Sequence, residues 1–133
     1  MDILIKEHQE LLLALLKHKV AFLLIGGYAV IYYGYDRVTG DMDIWLQPDN
    51  KNLRPLLLAL QEFGIEGEDI EKLSRVNLTA PQMFFVGEKP RRIDFLTQVS
   101  NIKFEEAANA VNYFSIEGHQ VPVIQYDHRP RKG

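Results

Sequence analysis

Apolar residues recur at helical spacing in several segments of this chain. The two longest of these segments run from about Asp2 to Lys17 and from about Lys51 to Phe63. Gly64 follows the second segment directly, which is typical of a helix end. Shorter helices are expected over YAVIYYG, closed by its glycine, and from Lys103 to Ala110.

Two other segments between these helices are predicted to form buried strands. AFLLIGG is a short apolar run ended by two glycines. DMDIWLQP alternates, so its aliphatic residues should face one way while Asp41, Asp43 and Trp45 face the other.

The second half of the chain predicts two hairpins. QMFFVG and RRIDFLT should form the first, and VNYFSI and HQVPVI the second, which turns at Glu117 and Gly118. The segment between the second long helix and the first hairpin follows no single period. Helices and strands in this order predict one α/β (α+β) domain over residues 1–133, with helices packed on a sheet.

Composition fits a soluble protein of one domain. The chain has 133 residues, of which 47% are hydrophobic and 25% charged, and it has no cysteine. No apolar run reaches transmembrane length, and the start lacks the pattern of a signal peptide. We therefore expect a cytoplasmic protein with no membrane contact, whose residues 126–133 form a frayed tail.

The net charge of −3 argues against binding of bulk nucleic acid. Two groups of basic residues stand out and leave a local basic patch open. They are Lys89, Arg91 and Arg92, and Arg129, Arg131 and Lys132. A solvated loop or tail is the other interpretation of each group, and it is preferred for the tail.

Four histidines and one tryptophan are expected to have structural roles. His8, His18, His119 and His128 show no metal-binding spacing, so they should lie at the surface or partly buried. Trp45 should pack beside the aspartates of its strand rather than stack on a base.

The aspartates at 41 and 43 are the sharpest chemical feature. Strand residues two apart point to the same side, so both carboxylates are presented together. Two adjacent anions repel each other, and a divalent cation with a preference for hard oxygen ligands, such as Mg²⁺, relieves that repulsion.

Asp94 is the third candidate, because it interrupts the apolar strand pattern of RRIDFLT. If that strand lies beside the strand of Asp41 and Asp43, all three carboxylates converge. Three carboxylates can hold two cations, which clamp the attacking and leaving oxygens of a phosphoryl transfer.

Residues upstream of the acidic pair suit a phosphate group. Gly26 and Gly27 lie at a predicted strand-to-helix turn, where backbone N–H groups approach phosphate closely. Arg37 and Thr39 can add a charge-assisted contact and a hydroxyl contact.

Two other interpretations of the acidic pair can be compared with the sequence. An EF-hand loop from Asp41 needs an oxygen ligand at its fifth position and glycine at its sixth, where this chain has Trp45 and Leu46. A metal-dependent glycosyltransferase remains an alternative interpretation, although that class of enzyme does not account for the upstream glycine turn.

GGYAVIYYGYDRVTGDMDIWL resembles the signature of the nucleotidyltransferase fold of the polymerase-beta superfamily. It is similar to that of small bacterial nucleotidyltransferase-like proteins, some of them related to abortive-infection and toxin–antitoxin systems. IDFLT resembles the segment that carries the third acidic residue of the superfamily.

The resemblance implies a mixed central sheet flanked by helices and a set of site residues. Asp41 and Asp43 would bind two Mg²⁺ ions, with Mn²⁺ as a substitute, and Asp94 would complete the ion that activates the nucleophile. Gly26 and Gly27 would cradle the triphosphate of ATP or another NTP. The implied reaction moves a nucleoside monophosphate to an unidentified acceptor and releases pyrophosphate.

The resemblance also implies an alternative. Similar proteins usually continue past a GHQVPVI-like segment into a further helix, whereas this sequence stops at YDHRPRKG. The chain would then be a catalytically weak or inactive copy of the fold that binds a protein partner, as an antitoxin does, or forms a homodimer.

Overall fold

A mixed six-stranded sheet organises the computed structural model, which describes residues 6–25, 42–88, 92–99 and 102–124. The strands in chain order are β1 (Phe22–Ile25), β2 (Met42–Leu46), β3 (Met83–Val86), β4 (Ile93–Leu96), β5 (Val111–Ile116) and β6 (His119–Ile124). Their order across the sheet is β3-β4-β2-β1-β6-β5. β2 pairs parallel with β4 and β1 parallel with β6, while the other three pairings are antiparallel.

Four α-helices lie within the described ranges: α1 (Lys6–Lys17), α2 (Leu53–Phe63), α3 (Glu68–Leu73) and α4 (Phe104–Ala108). The mixed α/β class, both long helices and both hairpin pairings are confirmed over these residues. Helix α3 was not predicted. The predicted helix over residues 28–34 and the predicted tail, 126–133, lie outside the described residues. No helix in the described ranges combines the length and the apolar character needed to cross a membrane.

The alternation along β2 divides the protein into two apolar cores, one on each face of the sheet. Met42, Ile44 and Leu46 are fully buried on the first face, in the core that α1 and α2 cover. Trp45 lies on the second face, where it packs with Leu23 and with residues of α4. The predicted division of β2 into two faces is therefore confirmed.

Local backbone chemistry explains where several elements end. Gly64 closes α2 with φ 116°, a left-handed conformation that glycine adopts without strain. The Asp49 side chain caps a 3-10 turn, Asn50–Asn52, that leads into α2. Glu117 and Gly118 both have positive φ, which suits the two-residue turn that the sequence predicts between β5 and β6.

One histidine departs from expectation. His8 is completely buried, because it lies on the same stripe of α1 as Leu11, Leu12 and Leu15. His18 contacts Glu62 at 2.7 Å, His119 is exposed, and His128 lies outside the described residues.

Asn52 joins the start of α2 to the chain just before β1. Its Oδ1 accepts from the Ala21 N–H at 2.8 Å, and its Nδ2 donates to the Ala21 carbonyl at 2.9 Å. Asn52 is 5% exposed, so truncation leaves the part-buried Ala21 N–H without its partner, while the Ala21 carbonyl keeps a hydrogen bond from the Gln47 N–H.

We expect Asn52→Ala to lower the free energy of unfolding by about 1–3 kcal/mol, measured by urea denaturation. The control is Asn109→Ala, which removes an exposed amide after α4 and should change stability by less than about 0.5 kcal/mol. Equal stability of the two variants would contradict the role given to Asn52.

Candidate functional site

The site is built on the parallel pairing of β2 and β4. Their register makes Asp43 and Asp94 direct partners, on neighbouring strands that lie about 4.8 Å apart. The flanking partners, Met42 with Ile93 and Ile44 with Phe95, are buried on the first face. Because alternate residues point to opposite faces, both aspartates lie on the second face, and both are half-buried.

Cross-strand pairing places these carboxylates in a row that runs across four strands. Ile25 is the partner of Asp43 on one side, and Phe85 is the partner of Asp94 on the other. The next row on the same face contains Leu23, Trp45, Leu96 and Met83. Exposure rises toward edge strand β3, where Phe85 is 62% and Met83 75% exposed.

Trp45 closes the α4 side of the site. Its ring meets Phe104 edge to face at 5.3 Å between centroids, and its indole N–H donates to the Thr97 carbonyl at 3.2 Å. With only 1% of its surface exposed, Trp45 has no face available for a base, so the predicted packing role is confirmed.

Arg92 adds a positive charge beside Asp94. Its Nε lies 2.9 Å from Oδ1, and its Nη2 donates a long hydrogen bond of 3.4 Å to Oδ2. Nε is buried and poorly aligned for hydrogen bonding, so the Oδ1 contact is chiefly electrostatic. Arg92 is not a solvated loop residue, because it lies on the strand face of Asp94 and is only 29% exposed.

The ring of Phe85 supports the guanidinium from the edge strand. The guanidinium carbon of Arg92 lies 5.1 Å from the ring centroid, within the range of a cation–π contact. Arg92 therefore touches a carboxylate and an aromatic ring at once. The sequence carried a signal for this pair, since residues two apart on a strand share a face.

Of the residues predicted to form the site, the structure brings Asp43 and Asp94 together. The others, which are Gly26, Gly27, Arg37, Thr39 and Asp41, lie outside the described residues. Within the described ranges, no group of three or more His, Cys, Asp or Glu side chains is arranged to hold a metal.

The arrangement suits a cation that is shared with phosphate. Two half-buried carboxylates on adjacent strands repel each other. Their oxygens are hard ligands of the kind that Mg²⁺ takes together with water and phosphate oxygens. The donors present are therefore of the kind that fits magnesium, and Asp43 and Asp94 are the described residues that would hold it.

Comparison with known proteins finds no matching family model, no matching curated protein and no matching solved structure. The functional argument therefore depends on the chemistry and placement of the residues themselves.

Proposed function

We propose that this protein is a magnesium-dependent nucleotidyltransferase that moves a nucleoside monophosphate from an NTP to an acceptor. The observation that carries the proposal is the register of β2 and β4, which makes Asp43 the direct partner of Asp94. Residues from two distant segments supply carboxylates to one point of the sheet, as the resemblance to the nucleotidyltransferase fold requires.

The proposed roles follow from the positions of the carboxylates. Asp43, with Asp41 from the start of the same segment, would hold the metal that accompanies the triphosphate. Asp94 would bind on the acceptor side and receive the proton of the acceptor hydroxyl. Bound Mg²⁺ supplies positive charge at the phosphate oxygens.

The proposed reaction balances without an oxidant or a further co-reactant. The acceptor oxygen forms a bond to the α-phosphorus, and the bond from that phosphorus to the bridging oxygen breaks. Pyrophosphate leaves with the electron pair of that bond, and the acceptor proton passes to a base.

A second function, that of a binding module with the same fold, is favoured by the edge strand. Met83 and Phe85 are exposed apolar side chains on β3, beside the carboxylates. Such residues suit contact with a protein partner or a second copy of the chain. A module of this kind would need neither metal nor nucleotide.

Calorimetry separates the two functions. Each of the four common NTPs is titrated with Mg²⁺ into the wild type, Asp43→Asn and Asp69→Asn, the last of which changes an exposed carboxylate on α3. We expect Asp43→Asn to weaken binding of the tightest-binding nucleotide about tenfold or more, and Asp69→Asn to leave that affinity unchanged. Equal binding by the wild type and Asp43→Asn, or binding by neither, would overturn the enzyme proposal.

A further inference from the structure

Arg92 forms an ion pair with the carboxylate of Asp94, which is also the proposed metal ligand. The guanidinium contacts both oxygens, at 2.9 Å to Oδ1 and 3.4 Å to Oδ2. The carboxylate is 18% exposed, so the approach to it is restricted. A cation that reaches Asp94 must therefore come close to the guanidinium as well.

Two cations at one half-buried carboxylate repel each other. Water screens this repulsion less at a half-buried site than at an exposed one. A metal ion that arrives alone must displace Arg92 and leave it without an anion. A metal ion that arrives with a nucleotide brings phosphate oxygens that can take the place of the carboxylate.

We propose that Arg92 is a positioning residue that changes partner when the nucleotide binds. It holds Asp94 in the empty site and moves to a phosphate oxygen of the incoming NTP, which leaves the carboxylate available to the metal on the acceptor side. This inference rests on the proposed function. Its consequence is that the metal at Asp94 binds together with the nucleotide and binds weakly on its own.

The surroundings of Arg92 allow this exchange at low cost. Phe85 is 62% exposed and its ring contacts the guanidinium at the edge strand, so the cation keeps an aromatic neighbour as it turns. Nε lacks an aligned hydrogen bond in the present arrangement, so this donor gains a partner when a phosphate oxygen arrives. The planar guanidinium also matches phosphate as well as carboxylate.

The test is a pair of titrations on the whole protein. In the first, MnCl₂ alone is titrated into the wild type, Arg92→Gln and Arg92→Lys. In the second, an NTP analogue with a methylene group between its α- and β-phosphorus atoms is titrated with Mg²⁺ present. The matched control is Arg75→Gln, which removes an exposed ion pair of 3.1 Å to Glu71 on α3.

We expect Arg92→Gln to change the two affinities in opposite directions. Binding of Mn²⁺ alone should tighten about threefold, because Asp94 loses its competing cation. Binding of the analogue should weaken about tenfold or more, because the phosphate loses a charge-assisted contact. Arg92→Lys keeps the charge and should give intermediate values, and Arg75→Gln should match the wild type in both titrations.

The outcomes distinguish this inference from the proposed function. If the wild type binds the analogue no better than Asp43→Asn does, both the proposed function and the role of Arg92 are overturned. If the wild type binds the analogue tightly and Arg92→Gln binds it equally well, only the role of Arg92 is overturned. Weaker binding of both ligands by Arg92→Gln also overturns the exchange, because it would make Arg92 only a support for the fold. If melting curves show that Arg92→Gln is unfolded, the intermediate values of Arg92→Lys decide.

Discussion

Replacement of Asp94 by Asn is expected to lower the rate of nucleotidyl transfer by about a hundredfold or more, while nucleotide binding changes little. In the proposed reaction, the amide keeps the size of the side chain but loses the charge that would hold a metal and accept a proton. Asp43 would still hold the metal that accompanies the triphosphate. The loss should therefore appear in kcat rather than in KM.

Pyrophosphate release and transfer of label from α-³²P NTPs measure this effect, with protein, RNA and small-molecule acceptors in parallel. Asp69→Asn is the control, because it makes the same chemical change on the helix that packs against the first core. Its rate should equal that of the wild type. Unchanged turnover in Asp94→Asn would remove this residue from the catalytic group, even if the protein binds nucleotide.

Trp45→Ala is expected to lower the free energy of unfolding by about 3–5 kcal/mol. The indole is the largest fully buried side chain; it joins β2 to α4 through its contact with Phe104, and to the end of β4 through its hydrogen bond to the Thr97 carbonyl. The substitution opens a cavity and leaves that carbonyl without its partner. A domain of ordinary stability would lose a large share of its total free energy of unfolding.

Urea denaturation followed by circular dichroism measures this loss, since the variant has no tryptophan left to observe. Met83→Ala is the comparison on the same sheet face, and its exposed side chain should contribute less than about 0.5 kcal/mol. A Trp45→Ala variant as stable as Met83→Ala would show that α4 does not depend on this contact.

The sequence pattern predicted the faces of the strands and the two hairpins, but not which strand lies beside β2. Met42, Ile44 and Leu46 lie on the first face and Asp43 on the second because the backbone alternates, and alternation is visible in the sequence. Which strand lies beside β2 depends on packing between segments that residues 47–92 separate. The partnership of Asp43 with Asp94 could therefore be stated beforehand only as a condition.

Three other features differ from what the sequence predicts at first sight. Arg92 shares its charge with the nearby Lys89 and Arg91, but its spacing from Asp94 predicts a shared strand face. His8 is expected at the surface or partly buried from its residue type, whereas the stripe of α1 predicts its burial. Helix α3 is short and has only Ile70 and Leu73 at helical spacing against the core, too few residues for periodicity to detect.

The register of β2 and β4 makes the site tolerant of one kind of sequence change and intolerant of another. Backbone pairing fixes the relative position of the two carboxylates, so the length of the turn near Gly67, between α2 and α3, can vary without moving either of them. A single residue inserted within β4 would instead turn Asp94 toward the core of α1 and α2 and bring an apolar side chain to Asp43. Among related sequences, insertions and deletions should therefore accumulate between the two strands, and none should fall within the four residues of β4.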